Sequence, residues 1–198
     1  MDEKEFTGYF WDYYLTLESD LLKLQPYVAF DKANYNCFSN QLIKLFLSIG
    51  SEIDVICKEY AGYLCRNRNI KKSPKSIKEY SEYILFNNDA IINENVNCTI
   101  SNDKLSPWKN WSRQTPEWWK QYNNVKHNRI YKDNYKKANL GNVIMSLSAL
   151  YIIEKYYYRE LENEHSEVSK GIILLPSHLQ SQLFGYISFE YDQLVIGV

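Results

Sequence analysis

Five side chains suited to handling phosphate lie between positions 120 and 129, in the stretch TPEWWKQYNNVKHNR at 115–129. They are Lys120, Asn123, Lys126, His127 and Arg129. Ammonium, guanidinium and carboxamide groups hold non-bridging oxygens, and a histidine moves a proton near neutral pH. At 100° per residue, Lys120, Asn123 and His127 fall within roughly 60° of each other on a helix. Trp118, Tyr122, Val125 and the stem of Arg129 occupy the opposite face, with Lys126 between the two. RNA carries its own nucleophile, the 2′-hydroxyl, so its cleavage needs only a base or acid, cations and alignment. This group could supply all three without a metal or other cofactor. The same His and Asn, four residues apart, also fit a solvated face or a satisfied structural pair with no chemistry at all.

The helix that would carry these residues has clear punctuation. Thr115 reads as its N-cap, Pro116 as its first residue and Glu117 as an acid at the positive end of the dipole. The segment is locally basic. Residues 109–137 hold eight Lys or Arg against Glu117 and Asp133, a balance of +6 inside a chain of net charge -1. The overall charge therefore excludes a global electrostatic attraction to nucleic acid but leaves room for one basic face. Residues 1–20 are the acidic counterpart, with Asp2, Glu3, Glu5, Asp12, Glu18 and Asp20 against Lys4 alone.

Around that helix the periodicity predicts a mainly α fold, an up-and-down bundle of about five helices in a single domain, 1–198. The first helix is expected from Thr7 to Gln25, stopped by Pro26, with Tyr27, Val28 and Phe30 packing down the linker behind it. The second, Ser39 to Leu64, is apolar on two sides and therefore central. It carries Glu52 and Asp54, two residues apart and hence pointing to opposite sides, so they cannot share one site. Ser73-Pro74 reads as the start of the third helix. Residues 88–110 read as a small β insertion, with two short strands turning at Asn93–Asn95, followed by PWKNW anchored through Trp108 and Trp111. The last helix is expected from Asn139 to Asn163. Short β-type pieces follow at 171–198. His165 and His178 receive no role.

Cys37, Cys57, Cys65 and Cys98 form no CxxC pair and no Cys/His cluster of zinc spacing. They read as reduced residues of a cytoplasmic protein. The N-terminal MDEKEFTGYFW lacks the apolar core of a signal peptide. No apolar run approaches the roughly eighteen residues that would span a bilayer, so no membrane association is expected.

The long helix bearing SEIDVICKEY, then WWKQYNNVKHNR, then ANLGNVIMSLSALYIIEKYYY together resemble the HEPN superfamily (higher eukaryotes and prokaryotes nucleotide-binding). The resemblance covers residues 39–64 and 115–160. It implies a helical bundle that forms a homodimer, with one polar helix face from each subunit lining a shared cleft. It also implies a metal-independent endoribonuclease of a toxin–antitoxin or anti-phage defence system, acting on RNA, with a possible partner protein from that system. The family motif is an Arg, four to six residues, then a His. His127 takes the histidine position, and Lys120 stands where the family has arginine, although the two cations are not equivalent at a bidentate site. In that reading His127 is the general base or acid and Asn123 orients it or the substrate. Lys120, Lys126 and Arg129 neutralise the phosphate, although Arg129 lies beyond the histidine on another face. The degenerate motif equally implies a non-catalytic interaction or accessory subunit, antitoxin-like. A helical-bundle metalloenzyme ranks last, because His127 with Asp54 or Glu52 gives too few ligands.

Overall fold

The computed structural model describes residues 1–163 and 179–186. It begins with one helical run in three parts: α1 (Glu3–Phe6), a π-helical turn (Thr7–Trp11) and α2 (Asp12–Leu22). The wider π turn adds a residue to the spiral. Phe6, Phe10, Trp11, Tyr14, Leu17 and Leu21 reach the core, while Tyr9 and Tyr13 face outward. The run starts earlier than the sequence suggests and gives way to turns three residues before Gln25. Tyr27 does not pack down the linker but stays exposed, and the buried Phe30 does that work with half-buried Val28.

Next comes α3 (Asn40–Asn67), capped by the Ser39 hydroxyl, which accepts the Leu42 amide at 3.1 Å. Its 28 residues make a rod about 42 Å long. Leu42, Leu45, Phe46, Ile49, Ile53, Ile56 and Tyr60 bury one stripe, and Gly50 and Ala61 are buried beside it. This helix is the hub, packed against α2 and the three helices that follow.

The third expected helix, α4 (Ile77–Asn87), starts later than Ser73-Pro74 would place it. Its cap is Ser76, whose hydroxyl accepts the Glu79 amide at 3.3 Å while the Glu79 carboxylate receives the Ser76 hydroxyl and the Lys75 amide. A Ser-x-x-Glu pair satisfies two orphan amides at once, which an isolated Ser-Pro step does not. Ile77, Tyr80 and Ile84 form its buried face.

The 88–110 insertion contains both helical and strand turns. Asp89–Asn93 is a 3-10 segment, so the first expected strand is absent there. Strands β1 (Val96–Cys98) and β2 (Lys104–Leu105) pair antiparallel, turning through residues 99–103 with Asn102 in the left-handed region at φ 55°. On the other side of β1 lies β3 (Phe184–Tyr186), with Cys98 opposite Phe184 and Val96 opposite Tyr186. The remaining C-terminal β pieces, at 171–178 and 187–198, lie outside the described residues, as do His165 and His178.

Trp108 and Trp111 anchor the PWKNW loop as their spacing suggests. Their indole N–H groups donate to the Ala149 carbonyl at 3.0 Å and the Ile77 carbonyl at 3.2 Å. Beyond this loop come α5 (Glu117–Asn128) and α6 (Leu140–Asn163), the latter capped by Asn139, whose side-chain oxygen accepts the Asn142 amide at 2.9 Å. The result is a mainly α fold with a small three-stranded antiparallel sheet. Among the described residues no helix is long and apolar enough to cross a membrane.

Candidate functional site

The helix α5 is fixed by its aromatic face. The Trp118 indole donates to the Pro107 carbonyl at 2.8 Å and meets the Trp108 ring edge-on at 5.3 Å. Trp119 leans on Tyr122 at 5.0 Å, and Tyr122 lies edge-on to Phe46 of α3 at 6.2 Å. The Tyr122 ring also covers Gly50 so closely that a Cβ there would stand 2.3 Å from its Cδ2. Any residue larger than glycine at position 50 would push α5 off α3.

The N-terminus differs from the expected cap. Thr115 does not cap the helix. Pro116 is the capping residue, with an extended ψ of 142° and no side-chain cap bond, and Glu117 is the first helical residue. The Pro116 carbonyl accepts the Trp119 and Lys120 amides at 3.1 and 3.2 Å. Glu117 compensates in part through side chains. Gln121 and Lys120 both reach it, and the Gln121 amide, then the Lys120 ammonium, hold its carboxyl below the usual glutamate range.

On the outward face Lys120, Lys126, His127 and Arg129 are exposed and Asn123 is half-buried. Their chemistry is partly committed. The Lys120 ammonium lies 3.2 Å from Glu117, and the Asn123 amide donates to the Trp119 carbonyl at 3.0 Å, leaving its side-chain oxygen open. The Lys126 ammonium sits 5.4 Å above the Tyr122 ring, a cation–π arrangement. Arg129 does not lay its stem on the tryptophan face. It caps the helix C-terminus and is exposed.

Beyond it the chain reverses through Lys132 and Asp133, both left-handed at φ 47° and 56°. Two consecutive non-glycine residues in that region are unusual. They are stabilised by Asn134, which is buried and donates to the Asn128 carbonyl at 3.0 Å, and by the Tyr135 amide on the Arg129 carbonyl at 3.0 Å. The basic segment Tyr131–Lys137, kinked at this reversal, therefore folds back along α5, and the Lys137 charge reaches Glu117.

Two surface hollows flank α5. One, of about 480 Å³, lies at its N-terminal end among Tyr35, Lys109, Gln114, Trp118, Asn142 and Met145. The other, of about 430 Å³, is bordered by Asn124, Asn128, Tyr131, Lys132 and Asn134. Neither is lined by Lys120, Asn123 or His127. Among the described residues Lys120 and His127 are exposed and Asn123 is half-buried, outside both of these hollows.

Glu52 and Asp54 diverge as their spacing requires. Asp54 accepts the Tyr80 hydroxyl at 3.3 Å, while Glu52 is half-buried and burial raises its carboxyl to about 7. Among the described residues no three His, Cys, Asp or Glu side chains converge as metal ligands.

The interior of α6 is polar in a way that helical periodicity alone does not reveal. Glu154 and Lys155 are fully buried. Burial, then the nearby Glu52 charge, raises the Glu154 carboxyl well above the usual range. Burial lowers the Lys155 ammonium to about 7, opposed by Glu94. Alongside them the Asn88 amide donates to the Tyr60 hydroxyl at 2.8 Å and to Glu160 at 3.1 Å, while Arg159 donates to its oxygen. An adjacent Glu-Lys pair inside the apolar run LYIIEKYYY was the available signal, since neither charge had a wet face to occupy.

Compared with protein-family models, curated proteins and solved structures, the chain matches none.

Proposed function

We propose that the chain is a metal-independent endoribonuclease that engages RNA along the exposed face of α5. The observation that supports this reading is the placement of His127, exposed on one helix with Lys120, Lys126 and Arg129 also exposed and Asn123 beside them. In the reaction, neutral His127 accepts the proton of a ribose 2′-hydroxyl. The 2′-oxygen forms a bond to phosphorus, the P–O5′ bond breaks, and the departing O5′ takes a proton from solvent. The products are a 2′,3′-cyclic phosphate and a 5′-hydroxyl. Cations on the face offset the charge that builds on the non-bridging oxygens. The dimeric arrangement implied by the HEPN-like pattern sets a second polar helix face beside this one and leaves solvent access for the leaving oxygen. A toxin–antitoxin or anti-phage role and a cytoplasmic location belong to the same proposal. Incubation with RNA in the presence of a chelator, comparing wild type with His127→Ala, tests it. Cleavage that is absent from wild type, or equal in both, ends the catalytic reading.

A second reading rests on a specific observation. Asn123 and Lys120 already have partners within α5, as they would in a non-catalytic interaction or accessory subunit. RNA binding without cleavage, insensitive to His127→Ala, would favour it.

A further inference from the structure

Six cations and no acid occupy residues 66–78, RNRNIKKSPKSIK: Arg66, Arg68, Lys71, Lys72, Lys75 and Lys78. The fold holds this run at the surface between two fixed ends. At the first, α3 closes in a Schellman turn. Asn69 is left-handed at φ 56°, its amide donates to the Arg66 carbonyl at 3.0 Å, and the Ile70 amide donates to the Cys65 carbonyl at 2.9 Å. At the second, the Ser76 and Glu79 cap starts α4. Arg68 is half-buried and the other five cations are exposed.

The loop lies over the outward side of α4. The Arg68 guanidinium stands 4.4 Å from the centre of the Phe86 ring, and the Lys72 ammonium stands 5.6 Å from that of Tyr83. Tyr83 and Phe86 are three residues apart and therefore neighbours on one helix face. The core takes Ile77, Tyr80 and Ile84 from this helix and leaves Phe86 77% exposed. Neutralisation is sparse. Among the described residues the run forms one ion pair, Lys72 with Glu82 at 3.9 Å. The Arg68 Nη2 is buried without a hydrogen-bond partner. Uncompensated positive charge and an open aromatic ring thus share one surface.

We infer that this surface binds single-stranded nucleic acid. Bases stack on Phe86 and the Arg68 guanidinium, and the phosphates follow Lys71, Lys72 and Lys75. Two observations select this ligand. The unpaired cations call for a polyanion. The exposed ring beside a guanidinium offers the flat surface on which unpaired bases stack, whereas a duplex hides its base faces. An anionic bilayer would answer the charge but needs an apolar face to insert, and between residues 66 and 87 the exposed large apolar side chains are Ile70 and Phe86 alone. None of these residues belongs to α5, so the inference goes beyond the RNA-cleaving reading and stands apart from it.

Fluorescence anisotropy of the full chain with a short labelled oligothymidylate measures the binding. This strand lacks the 2′-hydroxyl, so the cleavage proposed for α5 cannot act on it. Wild type should bind, and added salt should weaken the complex. Phe86→Ala should weaken it roughly 5- to 150-fold, the worth of one stacked base. Lys71→Glu combined with Lys75→Glu should weaken it by at least about tenfold and flatten the salt dependence. Lys23→Glu, a charge reversal at an exposed position outside the loop, should bind as wild type does. Circular dichroism checks that these surface substitutions leave the fold intact. A wild type that does not bind the strand, or a Phe86→Ala variant that binds it equally well, overturns the inference. So does tighter binding to phosphatidylcholine vesicles containing phosphatidylserine than to the strand. Binding that Lys120→Glu abolishes and the loop variants leave intact also overturns it, while leaving the α5 reading in place.

Discussion

Glu154 of α6 and Glu52 of α3 lie within electrostatic reach of each other across the central helix pair, and neither forms an ion pair among the described residues. Both Glu154 oxygens are buried without a hydrogen-bond partner. Burial raises both carboxyls, and the Glu52 charge raises Glu154 further. The core therefore holds an acid whose ionised form nothing compensates.

This pair makes stability depend on pH in a defined direction. Both folded pKa values exceed that of an unfolded glutamate, 4.5, so the folded chain binds more protons than the unfolded chain. The stability linked to those protons is fully present below about pH 4.5. It is lost as pH rises through the folded values, the Glu52 share by about pH 7. Replacing Glu154 with Met keeps the volume and removes two unpaired oxygens. Urea unfolding should show Glu154→Met more stable than wild type above pH 7, by on the order of 1–3 kcal/mol, with a flatter pH profile. An unchanged profile would mean that the oxygens are compensated in solution.

A different buried acid is fully satisfied. Glu18 accepts the Tyr14 hydroxyl at 2.8 Å, the Gln182 and Leu183 amides at 3.1 Å each, and the Ser181 hydroxyl. One carboxylate on α2 thus holds residues 181–183 just before β3. Glu18→Ala would remove four hydrogen bonds and leave the Tyr14 hydroxyl and the Leu183 amide only the Ser181 hydroxyl as partner, at a cost of roughly 1–3 kcal/mol for each donor left unpaired out of reach of water. Limited proteolysis should then cut within 179–186 much faster than in wild type. Equal cleavage rates would show that β1–β3 pairing holds the segment alone.

The seat of α5 on α3 can be tested at Gly50. A methyl group there meets the Tyr122 ring at 2.3 Å, and overpacking of this kind typically costs about 1–3 kcal/mol. Gly50→Ala should lower the unfolding midpoint. Adding Tyr122→Leu should recover part of the loss, giving a coupling energy outside additivity. Strict additivity would contradict the contact.

The helices were legible because their signals are local. The stripe from Leu42 to Tyr60, the Asn139 cap and the indole anchors Trp108 and Trp111 each depend on residues a few positions apart. The errors came where two local signals competed or where the partner was distant. Ser76 with Glu79 outcompeted Ser73-Pro74 for the start of α4, and Pro116 displaced Thr115 at the start of α5. The insertion was legible as two short strands within 88–110, but their turn was not, because β1 pairs with β2 across residues 99–103 and with a distant strand on its other side, Cys98 opposite Phe184. In the candidate site, the wheel correctly separated the tryptophan face from the Lys120, Asn123 and His127 face. It could not show that Asn123 would turn back onto Trp119, nor that Arg129 would leave the buried side at the helix end. Glu154 and Lys155 escaped notice because burial on all sides of α6 is a tertiary fact.

The most direct test of the central claim is a single-turnover assay of 5′-labelled RNA in excess EDTA, with product ends identified. Wild type should cleave the RNA and leave 2′,3′-cyclic phosphate ends. His127→Ala should slow it by roughly 10²–10⁴-fold, as expected for loss of a general base, while RNA binding is retained. Absence of cleavage, cleavage that needs a divalent metal, or a His127→Ala rate equal to wild type would contradict it.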